Sequence, residues 1–127
     1  MYYEDKYPYQ KECYEIIGIC MEIHRILGKG FLEIVYKDAI EYEFNCKNIP
    51  FEREKKYNID YKGLILPHFF FADFVVFEKI ILEVKAQKGI VDEHYRWVLN
   101  YLAISKCPLG LIINFSENSL VTKRVIL

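Results

Sequence analysis

Three charges interrupt an otherwise apolar double run. Residues 71–85 read Phe-Ala-Asp-Phe-Val-Val-Phe-Glu-Lys-Ile-Ile-Leu-Glu-Val-Lys, with Asp73 in the first half and Glu83 and Lys85 in the second. Runs this rich in Val, Ile and Phe read as two strands buried on both faces. A charge inside such a strand is costly unless it pairs, binds a metal or does chemistry. Glu83 and Lys85 lie two apart, so both side chains leave the same face of a strand, roughly 7 Å apart. With Asp73 on the partner strand, two carboxylates and one ammonium could converge. The Asp73 and Glu83 carboxylates with a main-chain carbonyl, such as that of Val84, suit Mg²⁺, which takes oxygen ligands and keeps several waters. Mn²⁺ is the natural substitute. A lysine beside the metal can orient or deprotonate an attacking water and offset charge building on a phosphate. That is an apparatus for phosphodiester hydrolysis. The simpler account is a cross-strand salt bridge or a solvated face, but the apolar flanks of Asp73 and Glu83 argue for burial.

Register decides whether these groups meet. In a two-residue hairpin with Glu78 and Lys79 at the tip, Phe77 pairs with Ile80 and Asp73 with Val84. Asp73 then faces away from Glu83 and Lys85. A shared site needs an odd-length loop or a bulge, which sets Asp73 opposite Glu83 or Lys85. The tip lacks Asn-Gly and any Gly, which fits something other than a tight primed turn. A bulge or longer loop is therefore predicted.

The elements that must position this hairpin can be read from periodicity. A helix is predicted over 9–27, with Cys13, Ile16, Ile17, Cys20, His24 and Leu27 on one face. Gly28 stops it. A second helix is predicted over 31–48, with Leu32, Val35, Ala39, Tyr42 and Cys46 as its apolar stripe and Glu33, Tyr36 and Ile40 along a neighbouring line. From Phe51 the period changes to two, giving a strand over 51–61, a turn at Lys62-Gly63 and a strand over 64–77 bent at Pro67. A third strand follows over 80–86. A helix over 91–105 turns Val98, Tyr101, Leu102 and Ser105 inward beside Trp97, and strands over 109–115 and 120–127 complete the chain. The order predicts one α/β (α+β) domain over 1–127: an antiparallel meander, a crossover helix, and a further strand parallel to one already in place. The result is a mixed central sheet with helices packed on it.

Composition narrows the class. The chain has 127 residues, 53% hydrophobic and 28% charged, with 11 Tyr and 9 Phe, which marks a folded, ring-rich chain rather than a disordered one. No run of about 18 uncharged apolar residues exists, so no membrane span is expected. Met1 to Lys6 lacks the regions of a signal peptide, so a cytoplasmic protein is expected. Cys13, Cys20, Cys46 and Cys107 form no Cys-x-x-Cys, and Cys13, Cys20 and Cys46 read as small core hydrophobes. The formal net charge is −1. Residues 1–50 carry −3 and residues 51–127 carry +2. A strong electrostatic footprint for nucleic acid is absent, although a local basic face is open to the second half.

Other charged and aromatic residues have simpler readings. His24, on an apolar stripe, reads as a hydrogen-bonded core histidine. His68 and His94 sit near element ends with nothing to pair them. Arg53, Lys55 and Lys56 read as a solvated strand face, and Trp97 and Tyr101 as core rather than a base-stacking platform. Glu33 alone reads as a charge favoured by a helix N-terminus.

Gly30-Phe31-Leu32-Glu33-Ile34-Val35-Tyr36 has the pattern Gly-x-x-Glu-x-x-Tyr, preceded by residues 22–29. With Asp73, Glu83-Val84-Lys85 and the segment 110–115, the chain resembles the bacterial and archaeal GxxExxY family, grouped with the PD-(D/E)xK nucleases of restriction-endonuclease-like fold. The likeness runs from the first helix to the last strand. It implies an αβββαβ core and a Mg²⁺-dependent nuclease site acting on DNA or RNA. Asp73, Glu83 and the Val84 carbonyl would hold the metal, Lys85 would position the water, and Glu33 would approach the metal, with Tyr36 beside it. Related nucleases often carry a Gln four residues before a Tyr on the helix after Glu-x-Lys. Here Tyr101 is present, Trp97 stands in the place of the Gln, and Gln87 on the Glu83 face is a candidate substitute. The alternative is a non-catalytic module on the same fold, binding nucleic acid or a protein. A small domain with a single site would have to form a homodimer to cut both strands of a duplex.

Overall fold

The computed structural model describes residues 9–127, so the N-terminal residues 1–8, including the segment weighed as a signal peptide, lie outside the described residues. The elements run α1 Gln10–Leu27, α2 Glu33–Cys46, β1 Phe51–Tyr61, β2 Leu64–Val76, β3 Ile80–Lys85, α3 Asp92–Ser105, β4 Leu109–Asn114 and β5 Val121–Val125. The strands form one sheet in the order β1-β2-β3-β4-β5. β4 lies parallel to β3, and the other neighbours are antiparallel. The parallel pair is what a crossover through α3 produces, since a hairpin can join only antiparallel neighbours. The mixed sheet flanked by helices is the expected architecture.

The sheet separates two cores. On one face, Cys13, Ile16, Ile19, Cys20 and Ile23 of α1 and Tyr36, Ile40 and Phe44 of α2 pack on Phe74, Val76, Ile80, Leu82, Val84, Leu109, Leu111 and Ile113. On the other, Val98 and Leu102 of α3 pack on Ala72, Val75, Ile81 and Ile112. β3 and β4 are buried on both sides, which is why both segments lack a polar alternation. α1 ends where expected: Gly28 takes φ 73°, and its N–H donates to the His24 carbonyl at 2.8 Å.

α2 differs from its reading in two ways. It begins at Glu33 rather than residue 31, and its buried line is Tyr36, Lys37, Ile40 and Phe44. Leu32 and Tyr42 are exposed, and Cys46 is an exposed thiol rather than a core residue. Apolar residues surround this helix, so periodicity alone could not choose the inward side. A lysine on the buried line also pointed away from the correct answer.

α3 approaches β4 closely at Gly110. A Cβ built there would lie 2.5 Å from Val98 Cγ1, closer than side chains pack. Gly110→Ala is therefore expected to lower stability by about 1–3 kcal/mol through overpacking. Urea denaturation checks this, and pairing the change with Val98→Ala should recover part of the loss.

Candidate active site where the β2–β3 hairpin opens

β2 and β3 pair over a short stretch, with Phe74 opposite Leu82, Val75 opposite Ile81 and Val76 opposite Ile80. Continuing that register sets Asp73 opposite Glu83. The connection is the three-residue turn 77–79, the odd-length loop that register demanded. Its conformation was not foreseen. Phe77 and Glu78 both take positive φ, 56° and 59°, and the Lys79 N–H donates to the Val76 carbonyl at 3.1 Å. Two L-residues hold primed-turn geometry without Asn or Gly, at roughly 1–2 kcal/mol each, and Lys79 is the added residue. That strained turn fixes the register of the site.

Beyond Phe74 and Leu82, side chains take over from the main-chain ladder. The Asp73 N–H donates to Glu83 Oε2 at 3.0 Å, and the Val84 N–H donates to Asp73 Oδ2 at 2.8 Å. The hairpin opens here, and the two carboxylates sit in the opening. β2 also turns over at this point: Phe74 belongs to the core beneath α1 and α2, whereas Ala72 belongs to the core beneath α3. On β1 the ladder has pairs on either side of Glu54 but not at it, and Glu54 has φ 54°. A local irregularity thus re-aims Asp73 and Glu54 together, as bulges beside functional sites do.

A residue that sequence reasoning passed over completes this cluster. Lys37 of α2 is buried, and its ammonium donates to Glu54 Oε2 and, at 3.0 Å, to Asp73 Oδ1. Burial pulls its pKa down, but the hydrogen bonds to Glu54 and Asp73 outweigh that and hold it above the ordinary lysine value. Lys37 immediately follows the Gly-x-x-Glu-x-x-Tyr pattern, and its position on the Glu33–Ile40 side was the available signal. Lys37→Met leaves Asp73 and Glu54 without their shared cation. We expect it to lower metal-free stability by about 2–4 kcal/mol. Saturating Mg²⁺ should restore more of that loss than it adds to the wild type, as measured by denaturation with and without the ion.

Glu83 is 6% exposed, and its carboxyl is pushed up to about 8 by burial first and by the Asp73 charge second. The Asp73 N–H and the ammoniums of Lys85 and Lys37 oppose that shift. Glu33, at the first turn of α2, is half-buried and also raised, by burial and then by the Asp73 charge, with Lys85 and Lys37 acting against it. Tyr101 is raised by burial, then by the charges of Glu83 and Asp73. These couplings place Glu33, Asp73, Glu83, Lys85 and Tyr101 in one electrostatic neighbourhood. Lys85 Nζ stands 5.9 Å from the centre of the Trp97 ring. Trp97 is 44% exposed, which corrects its reading as core.

Two candidates fall elsewhere. Tyr36 is fully buried, stacked on Phe115 with ring centres 4.3 Å apart. Its hydroxyl donates to the Gly28 carbonyl at 2.6 Å and accepts the Phe31 N–H at 3.3 Å, so it ties α2 to the loop before it. Gln87 is exposed, and its main chain is held on both sides by the buried Asn114 amide, at 3.2 and 2.7 Å. Asn114 thereby pins the chain just after Lys85; it lay in the quoted segment 110–115 without a role. His24 is a hydrogen-bonded histidine, as expected, with Nε2 2.9 Å from the Glu117 carbonyl oxygen. His94 does have a partner: its Nδ1 accepts the Val91 N–H at 3.1 Å at the start of α3.

The donor set fits a hard divalent cation. Two carboxylates share one opening, and that of Glu83 is deeply buried, its pKa raised by burial and by the Asp73 charge. Among the described residues, no group of three or more His, Cys, Asp or Glu side chains converges at ligand distance. The protein's share would thus be two carboxylates and a main-chain oxygen, with water completing the shell as Mg²⁺ tolerates.

A mixed sheet with helices on both faces, opening at Asp73 beside the Glu83-Val84-Lys85 strand, defines a restriction-endonuclease-like protein. The model of the PD-(D/E)XK nuclease superfamily matches residues 10–125, and the chain belongs to that superfamily. No curated protein matches. Among solved structures, the crystal structure of SSO0001 superposes with a TM-score of 0.58 at 19% identity, over 93% of this chain. The chain spans 59% of that protein, and the likeness speaks for the fold. No helix among the described residues is long and apolar enough to cross a membrane.

Proposed function

We propose that this chain is a Mg²⁺-dependent nuclease that hydrolyses phosphodiester bonds of DNA or RNA, with Mn²⁺ able to substitute. Within its superfamily we read it as a GxxExxY protein, working in the cytoplasm. The observation that carries the proposal is the opening of the hairpin at Asp73 and Glu83, with Lys85 on the same strand as Glu83. Asp73, Glu83 and the Val84 carbonyl would hold the ion, which when bound supplies charge to a phosphate and acidifies water. Lys85 orients a water or accepts its proton and offsets charge on the phosphate oxygens. Glu33, its carboxyl raised by burial and then by the Asp73 charge, would approach the ion and exchange a proton with that water. Tyr101 borders the acidic pair from α3 and contacts the strand being cut.

One observation favours a second reading. Both Asp73 oxygens already have protein partners, Lys37 Nζ and the Val84 N–H, which suits a non-catalytic nucleic-acid- or protein-binding module on the same fold. Cleavage assays on single- and double-stranded DNA and RNA with Mg²⁺, Mn²⁺ or EDTA separate the two. Metal-dependent cleavage supports the nuclease. No cleavage on any substrate, together with no metal binding by calorimetry, would leave the binding module. Cutting both strands of a duplex would further require a homodimer, which sedimentation with and without DNA tests.

A further inference from the structure

Between α3 and the β1–β2 hairpin lies a cleft of about 360 Å³ lined by Ile59, Phe70, Asn100, Tyr101, Ala103 and Ile104. Its walls are mostly apolar, and two of its lining residues, Phe70 and Tyr101, carry rings. The Phe70 and Tyr101 rings stack with centres 4.2 Å apart and planes 8° from parallel, and Tyr57 stacks on Phe70 at 5.3 Å. Asn100 supplies the amide, on an exposed helical position at the rim. Phe70 lies on β2 three residues before Asp73 and stacks on Tyr101 of α3, so the cleft neighbours the candidate site along β2.

We propose that this cleft receives an unpaired nucleobase of the strand being cut, so that the substrate class is single-stranded or locally unpaired nucleic acid. A base is planar and aromatic, which matches an apolar wall carrying the Tyr101 ring, and its edge carries donors and acceptors that the Asn100 amide can meet. In a duplex the same edges and faces are covered by pairing and stacking, so a base must leave the helix to enter. Charge argues the same way. A formal net charge of −1 leaves little for binding through phosphate neutralisation alone. Stacking on aromatic side chains is the sequence-tolerant alternative. The inference rests on the nuclease reading for its ligand, not for turnover.

Trp97 is the only tryptophan in the chain and stands half-exposed next to Lys85, a built-in fluorescent reporter. The test titrates the full chain with 12-mer oligo-dT, 12-mer oligo-rU and a fully paired DNA 12-mer, with Ca²⁺ in place of Mg²⁺. Ala103 and Asn100 are exposed on α3, so Ala103→Phe fills the cleft and Asn100→Ala removes the amide with little risk to folding. We expect the single strands to quench Trp97 and to bind at least tenfold more tightly than the duplex, with a shallow dependence on salt. Ala103→Phe should weaken single-strand binding at least tenfold and Asn100→Ala severalfold, while the thermal shift caused by the metal stays unchanged. Equal affinity for duplex and single strand, or equal affinity in wild type and Ala103→Phe, overturns the proposal. So does a failure of both single strands to bind. Single-strand binding that responds to Ala103→Phe without any cleavage in Mg²⁺ would keep this inference and remove the nuclease reading. Duplex cleavage indifferent to Ala103→Phe would do the reverse.

Discussion

Asp73→Asn and Lys85→Ala should each lower phosphodiester cleavage by about 10²–10⁴-fold in chains that still fold. The two losses should differ in kind. Asp73 uses one oxygen to accept the Val84 N–H and the other to meet the Lys37 ammonium, and its charge faces Glu83 across the open hairpin. Asparagine keeps one acceptor but turns an N–H₂ group toward another donor or into the opening. Its loss should therefore show as weaker metal binding, partly recovered at high Mg²⁺. Lys85 holds none of the proposed metal ligands by hydrogen bond, and it acts on water and phosphate. Its removal should lower turnover at saturating Mg²⁺ and leave metal affinity nearly unchanged. Steady-state rates across a Mg²⁺ series, with calorimetry on each variant, make the distinction. Activity that survives in both variants would sink the proposed site.

Glu83→Gln should abolish metal-dependent activity and yet stabilise the metal-free protein at neutral and alkaline pH. The Glu83 carboxyl stands near 8 in the folded protein, against 4.5 for an unperturbed glutamate. Between those values the folded chain keeps a proton that the unfolded chain has released. Stability is therefore greatest below the unfolded value, falls as pH rises through the window and levels off above about 8. The slope within the window is at most about 1.4 kcal/mol per pH unit. Glutamine accepts the Asp73 N–H and never ionises, so it escapes this loss. Thermal melts without metal should show little gain for Glu83→Gln near pH 4.5. By pH 8 the gain should reach about 2 kcal/mol or more, roughly 8 °C. Mg²⁺ should stabilise the wild type at pH 8 and leave the variant unmoved. A gain of equal size at both pH values would mean that Glu83 titrates normally, and the account of an uncompensated buried carboxylate would fail. The same prediction expresses a trade between stability and function: the charge that makes the opening suited to a cation is the charge that destabilises it empty.

Both predictions act through groups whose types were visible in the sequence and whose contacts were not. Asp73, Glu83 and Lys85 stood out because charge inside an apolar run is improbable without a partner. The strand order followed from period-two alternation, turn residues and the helix between β3 and β4. Even the register was constrained, since a shared site needs an odd-length loop or a bulge to set Asp73 opposite Glu83 or Lys85. The family pattern drew Glu33 into the same place.

Tertiary structure decided the rest. Lys37 went without a role in the sequence because helical periodicity reports which face is apolar, not which charge a distant strand will meet. Its partners, Glu54 and Asp73, arrive from 17 and 36 residues away. Tyr36 and Trp97 exchanged expected roles for the same reason. One ring is enclosed by Phe115 and the α1–α2 connection, and the other is left half-exposed beside Lys85. Local spacing specifies which side chains share a face, because the chain's own geometry sets that. What lies opposite the face depends on how separate elements pack, and only the packed sheet shows that the hairpin opens at Asp73 and Glu83.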